Sequence, residues 1–222
     1  MVKRIVVLVM MAVMSQTFTL CGVEFDLSFE AKCKTTEDGF VYYEDTKIGV
    51  CIISLPDSEE VVIPEYVDGK QVKQLGYKDV GIGYSQTYRV DGDKVKNLTV
   101  QHTFKHFAAD FRNLEKMVFI DLPYCFLNRE YIDLTIPDHA GTNYPINADV
   151  ELRKSDRQLD LNEFKFQFIN IPDYVKIIDS NVFDNLPDVT IRTSYDTKPE
   201  GWEDGWNGNC EVEWGIEIYL IR

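Results

Sequence analysis

His102 and His106 stand four residues apart in the phrase VQHTFKHFAADF. On a helix that spacing places both imidazoles on one side, as a shared metal ion requires. The phrase lacks the Glu that follows the first His in H-E-x-x-H, and the favoured reading is two partly exposed turn histidines. Two oxygen-rich stretches, Asp91-Gly92-Asp93 and Asp156 to Glu163 (DRQLDLNE), raise calcium chemistry. Neither has the D-x-[DN]-x-[DN]-G spacing that wraps one ion, so both read as solvated loop charge. Among 37 Asp and Glu, no chosen carboxylate pair carries information about glycoside hydrolysis. The sequence has no G-x-S-x-G, no P-loop and no G-x-G-x-x-G leading into a helix. No Ser or Cys nucleophile has a partner base that sequence reveals. The expectation is a non-enzymatic chain with no catalytic residue, no metal ligand and no cofactor. Trp202, Trp206 and Trp214 fall within 13 residues. Exposed aromatic rings stack on sugars, which makes a glycan a conceivable partner, but large aromatics also close the open end of a core. The second reading is the stronger. Asn97-Leu98-Thr99 matches a glycosylation sequon and reads most simply as the start of a strand.

The cysteines are Cys21, Cys33, Cys51, Cys125 and Cys210, with no C-x-x-C among them, so a structural zinc is not expected. Cys33 and Cys51 flank an expected hairpin and are placed to bridge; the slightly favoured alternative is that each is a small buried hydrophobe. Met1 to Arg4 is a short basic head, followed by a 10-residue apolar run, Ile5 to Met14. That run is short of the roughly 20 residues that span a bilayer and has the layout of a secretory signal. Residues 1–22 are therefore read as an export address. Cys21, in TFTLCG, stands where a lipoprotein carries its lipidated cysteine, but Leu20 is not the small residue such motifs want. Ordinary cleavage near Cys21 or Gly22 is the preferred alternative, leaving a possible lipid anchor at Cys21 as the one route to a membrane.

The elements that would position these residues are written in the composition. A formal net charge of −14 over 222 residues repels phosphate backbones, and no basic patch is visible, so nucleic acid is not an expected partner. A hydrophobic content of 45% excludes a disordered chain. Six Ala against 13 Phe and 12 Tyr disfavour a helical bundle and favour strands.

Pairs of apolar residues two apart mark strands with one buried face. They occur at Val61/Ile63, Leu98/Val100, Val118/Ile120, Leu134/Ile136, Ile169/Ile171, Val189/Ile191 and Val212/Trp214. Their second members are 37, 20, 16, 35, 20 and 23 residues apart, a short period with two intervals near double length. Ile63-Pro64, Ile136-Pro137 and Ile171-Pro172 each end a pair with the same dipeptide, and proline stops a strand because it lacks the N–H. A second phrase recurs as Phe111-Arg112-Asn113-Leu114 and Phe183-Asp184-Asn185-Leu186, each just before a strand pair. One strand, one turn and one return segment cannot bury their own apolar side; stacked units can. The expected fold is a β-rich α/β solenoid whose short strands lie side by side as one parallel sheet.

Val61 to Gly76, VVIPEYVDGKQVKQLG, resembles the opening repeat of the BspA-like leucine-rich repeat proteins of bacteria, through Ile63-Pro64, Asp68-Gly69-Lys70-Gln71-Val72 and Leu75-Gly76. Phe40 to Leu55 resembles the hairpin that precedes it, Asn170 to Leu186 the internal repeat, and Lys198 to Gly215 (KPEGWEDGWNGNCEVEWG) the closing segment. The resemblance implies an irregular leucine-rich-repeat array: a hairpin cap over 23–60, a solenoid over 61–222 and a Trp-rich cap over 198–222. Two stretches depart from the pattern. Tyr77 to Val95 reads as an irregular loop, and Gly141 to Lys165 as a polar insertion. The resemblance further implies a secreted or cell-surface bacterial protein that binds a protein ligand, host extracellular or bacterial, as an adhesin does. The rival expectations are a polysaccharide-binding or carbohydrate-processing accessory and an envelope scaffold. No individual binding residue is assigned at this level.

Overall fold

The structure is a computed structural model and describes residues 32–80, 85–101, 104–122, 131–133, 148–157, 166–184, 186 and 189–218. From Cys33 onward these belong to one compact unit, Cys33–Arg222. It opens with three antiparallel strands, β1 (Lys34–Thr35), β2 (Val41–Asp45) and β3 (Gly49–Ser54). β4 (Glu60–Val62) follows. Next come a tight hairpin of β5 (Tyr66–Val67) and β6 (Lys70–Leu75), then a second antiparallel pair, β7 (Tyr77–Val80) and β8 (Ser85–Tyr88). The chain then winds through β9 (Val90–Asp91), β10 (Asn97–Gln101), β11 (His106–Phe107), β12 (Ala109–Asp110), β13 (Lys116–Ile120), β14 (Tyr131–Asp133), β15 (Asp149–Arg153), β16 (Phe168–Ile171), β17 (Val175–Ile178), β18 (Thr190–Thr193) and β19 (Glu211–Glu213).

The winding is a β-rich solenoid of about five turns built on parallel strands. One wall is a five-stranded parallel sheet in the order β17-β15-β13-β10-β4. A second wall is formed by β3, β6 and β11 in the early turns. In the later turns it is the four-stranded sheet β14-β16-β18-β19. β9 and β12 make a short third side. Period-two alternation explains the inward faces. In NLTVQ, Leu98 and Val100 point into the core while Asn97, Thr99 and Gln101 do not; DVELR buries Val150 and Leu152 in the same way. Each such side chain removed from water contributes about 1.5–3 kcal/mol, which a single turn cannot realise without its neighbours.

Carboxylates stitch the turns where strands end. Asp121, buried and at φ 59°, accepts the Ser155 N–H at 2.9 Å. Asp179 accepts the Lys154 N–H at 2.9 Å, and Glu203 accepts the Ser180 N–H at 2.9 Å. Part of the acidic composition is thus spent on charge-assisted bonds to backbone between neighbouring turns.

Several expectations are corrected. The apolar pairs do not share one sheet: Val61 and Leu98 lie in the five-stranded wall, whereas Ile169, Ile191 and Val212 lie in the four-stranded one. The return segment at Val175–Ile178 is itself a strand, so a turn carries two sheet strands rather than one. Among the described residues there is no α-helix, and the α component of the expected fold has no counterpart there. In β13 the buried residues are Met117 and Phe119, not Val118 and Ile120. The run MVFI is apolar on both faces, so periodicity cannot choose between them; pairing of Met117 with Leu98 and Phe119 with Val100 does. Tyr77 to Val95 contains the β7–β8 hairpin rather than an irregular loop. The stretch 141–165 contains β15, a strand paired on both sides within the five-stranded wall. Residues 1–22, Cys21, Cys125, the Leu134/Ile136 pair, His102 and most of Asp156 to Glu163 lie outside the described residues.

Candidate functional site

The five-stranded wall presents an outward face, and strand register sets its rows. Val62, Thr99, Val118, Glu151 and Ile177 are aligned across β4, β10, β13, β15 and β17. A flanking row runs Gln101, Ile120 and Arg153. The alternation that sends Leu98, Met117 and Val150 inward obliges these residues outward. Val62 is 60% exposed, the most exposed large apolar side chain among the described residues. Beside this stripe runs a chain of charges: Lys116 Nζ lies 3.8 Å from Glu151, Arg153 is 2.8 Å from Glu151, and Arg153 is 2.9 Å from Asp179. The face thus sets apolar side chains beside fixed, paired charge.

β4 is one of the two outermost strands of this sheet, and among the described residues it pairs only with β10. The Ser58 hydroxyl folds back on it, donating to the Glu60 carbonyl at 2.8 Å and accepting the Glu60 N–H at 3.2 Å. Val62, the next residue of that edge, stands beyond the reach of this plug.

Two grooves flank the wall. One, of about 530 Å³, lies at the strand starts, and its charges neutralise one another: Lys96 with Glu59 at 3.0 Å and Arg112 with Asp93 at 3.2 Å. The other, of about 490 Å³, lies beside the β1–β2 hairpin and is lined by Tyr42, Tyr66, Pro64 and Asp68. The Tyr42 hydroxyl donates to the Asp68 carboxylate there. Lys34 and Lys70 both bond Glu44 nearby and hold its carboxyl down at about 2.

The residues singled out for chemistry are scattered or sealed. His106 begins strand β11 opposite Gln74, so at that end the four-residue spacing is not helical. Register sets Cys51, Gln74 and His106 in one row of the second wall. The Cys51 thiol is pushed up to about 12 by burial and by the nearby Asp45, far from the depressed value that makes a thiolate nucleophile. Cys51 and Cys210 are buried free thiols, so Cys51 forms no bridge to Cys33. Asp91 and Asp93 serve the loop itself, with the Asp93 N–H on the Asp91 carboxylate at 3.0 Å. Among the described residues no group of three or more His, Cys, Asp or Glu is placed to hold a metal ion. Asn97 starts β10, as the strand reading of the sequon expects.

Trp202 and Trp206 are 1% and 3% exposed, with ring centroids 4.5 Å apart, and Trp202 donates its indole N–H to the Val175 carbonyl at 3.1 Å. Neither offers a ring face to a sugar, which removes the basis for a glycan platform at those two residues. Sequence reasoning missed Val62, Ile177, Tyr66 and Arg153 as surface features. The available signal was DVELR, whose charged positions alternate with Val150 and Leu152 and so announce an outward face. No family model, no curated protein and no solved structure matches this chain.

Proposed function

We propose that this chain is a non-enzymatic binding protein, exported to the cell surface or beyond, that holds a protein partner against the outward face of its five-stranded wall. The observation that carries the reading is the aligned row Val62, Thr99, Val118, Glu151 and Ile177, in which three apolar side chains share the face with Glu151 and its Lys116, Arg153 and Asp179 charge chain. Kinship with the BspA-like leucine-rich repeat proteins belongs to the same proposal and is supported by the phrases at Val61 to Gly76 and Asn170 to Leu186. The β1–β2–β3 strands and the Trp202–Trp206 cluster take the roles of caps in it. A net charge of −14 favours partners with basic patches and makes association weaken as salt rises.

The test is capture from extracellular-matrix and cell-surface extracts at low salt by the immobilised chain and by its Val118→Arg variant. The expected result is a discrete bound protein that elutes with salt and binds at least about tenfold more weakly to the variant, with unchanged thermal unfolding. Equal capture by both forms would remove the face from consideration. Capture of nothing from either extract would count against the binding role itself.

A further inference from the structure

We propose that Tyr66 and the cations beside it form a second, separate site for an acidic glycan, with a sugar ring on the exposed tyrosine face and its carboxylate or sulfate on Lys73 and Lys105. The site begins with a turn. β5 and β6 are joined by Asp68-Gly69, both at positive φ, and this two-residue loop sets Tyr66 opposite Gln71. Tyr66 is 51% exposed and forms one wall of the 490 Å³ groove, a volume within the range of small-ligand sites. The groove is also lined by Thr36, by Lys34 and by the carboxylates of Glu37, Asp38 and Asp68. Hydroxyl and carboxylate groups around an aromatic plate suit a polyhydroxylated ring, which presents an apolar face and a polar rim, while the acidic lining directs a ligand's own anion away from the groove toward the lysines.

The other side of Tyr66 has the opposite charge. Its hydroxyl accepts from Gln71 Nε2 at 3.2 Å, and Gln71 Oε1 accepts from Lys73 Nζ at 2.5 Å. Val50 pairs with Val72 but Cys51 with Gln74, so Lys73 is the extra residue of a β-bulge, a device that re-aims a side chain. The Lys105 N–H donates to the Lys73 carbonyl at 2.8 Å, which brings a second lysine alongside. Arg157 forks onto Glu65 at 2.7 and 2.9 Å, and Lys154 lies 3.5 Å from Asp121. The corner thus gathers Lys73, Lys105, Lys154 and Arg157 against Glu65 and Asp121. In a chain of net charge −14 this local excess of cations runs against the overall sign. Burial and the Lys105 charge both push the Lys73 ammonium below its ordinary value, and Glu65 only partly opposes them. An arriving anion favours the charged ammonium and so opposes both effects. The cations, at 73, 105, 154 and 157, come from three separate stretches of the chain, which is why no basic patch is visible in the sequence. A neutral glycan would leave the lysine corner unused, and a bare phosphate would leave the tyrosine groove unused.

The test is calorimetric titration of the full chain with polygalacturonate, heparin, neutral dextran and single-stranded DNA. The expected result is salt-sensitive binding of one or both acidic polysaccharides and none of dextran. Lys73→Gln with Lys105→Gln should weaken binding at least about tenfold, as loss of charge-assisted bonds does. Tyr66→Ala should weaken it about fivefold without shifting thermal unfolding, because the ring is half exposed. The first two polymers separate a carboxylate preference from a sulfate preference. Failure of both acidic polysaccharides to bind overturns the proposal. So does undiminished binding by the lysine variant, or single-stranded DNA binding as tightly as the polysaccharides, which would reduce the site to charge alone.

Discussion

Phe111 and Phe183 head the same four-residue phrase, yet opposite things press on their rings. Phe111 lies against a place where a side chain is missing: a Cβ on Gly92 would fall 2.2 Å from its Cδ1. Phe183 lies against one of the largest side chains in the molecule, meeting Trp206 edge-on with centroids 6.0 Å apart. The phrases also lead to different walls. Phe111 precedes β13 of the five-stranded sheet, whereas Phe183 precedes β18 of the four-stranded one. Both rings are buried, at 0% and 1% exposure. The motif therefore specifies an inward aromatic before a strand. It does not specify which strand of the turn follows or what the neighbouring turn supplies.

The largest effects should come from emptying the two pockets. Phe183→Ala and Phe111→Ala should each destabilise by about 3–5 kcal/mol, read from urea unfolding. The difference between the sites should emerge in a double-mutant cycle. Phe183→Leu with Trp206→Leu should show a coupling of about 0.5–1.5 kcal/mol from the edge-on ring pair. Strictly additive losses would mean that the indole fills space without favouring the ring.

Next in size is Gly92→Ala, expected to cost about 1–3 kcal/mol by overpacking against Phe111. Phe111→Leu in the same chain should recover part of that loss, since the methyl meets the ring edge first. A neutral Gly92→Ala would mean that the two turns are not held this closely. Gly201→Ala is the counterpart near Trp202. Its Cβ would meet the Lys176 carbonyl oxygen at 2.3 Å, a backbone atom that cannot swing aside, so no side-chain change should rescue it.

The smallest effect concerns pH. Arg89 bonds both carboxylate oxygens of Asp110, the residue before Phe111, at 3.0 and 2.6 Å, and these bonds hold the Asp110 carboxyl below its ordinary value. Because the folded value lies below the unfolded one, this stability is complete above the unfolded value of about 3.9 and is lost as pH falls through the folded one. The pair is partly exposed, so the contribution should stay below about 1 kcal/mol. Asp110→Asn should flatten the acid limb of the unfolding profile by that amount. An unaltered acid limb would mean that the Arg89 pair adds nothing to the stability of the first phrase.

Much of the architecture was legible because alternation is a local property. The strands at Leu98/Val100, Ile169/Ile171 and Val189/Ile191 carry inward side chains where a period of two requires them, and Ile63 and Ile171 are buried ahead of their prolines. β15 escaped because its polar neighbours masked Val150 and Leu152, and Val118 and Ile120 were set on the wrong face because MVFI is apolar throughout and the one polar mark of the outward face, Lys116, stands at the strand's first position. Of the surface features, none was assigned by residue. Their members are neighbours only through register, as Val62, Thr99, Val118, Glu151 and Ile177 are, or through turn stacking, as Tyr66, Lys73, Lys105 and Arg157 are.

Composition and periodicity by themselves determined that this chain is strand-rich, that its strands recur, and that it buries them by stacking. Those follow from which side chains can leave water and at what spacing. Tertiary structure alone decided that Val175–Ile178 is a sheet strand rather than a return segment, that Met117 and not Val118 faces the core, and that lysines 32 residues apart share a corner. Such choices depend on which backbone groups another turn leaves unpaired, and that is a property of the assembled turns, not of any one stretch of chain.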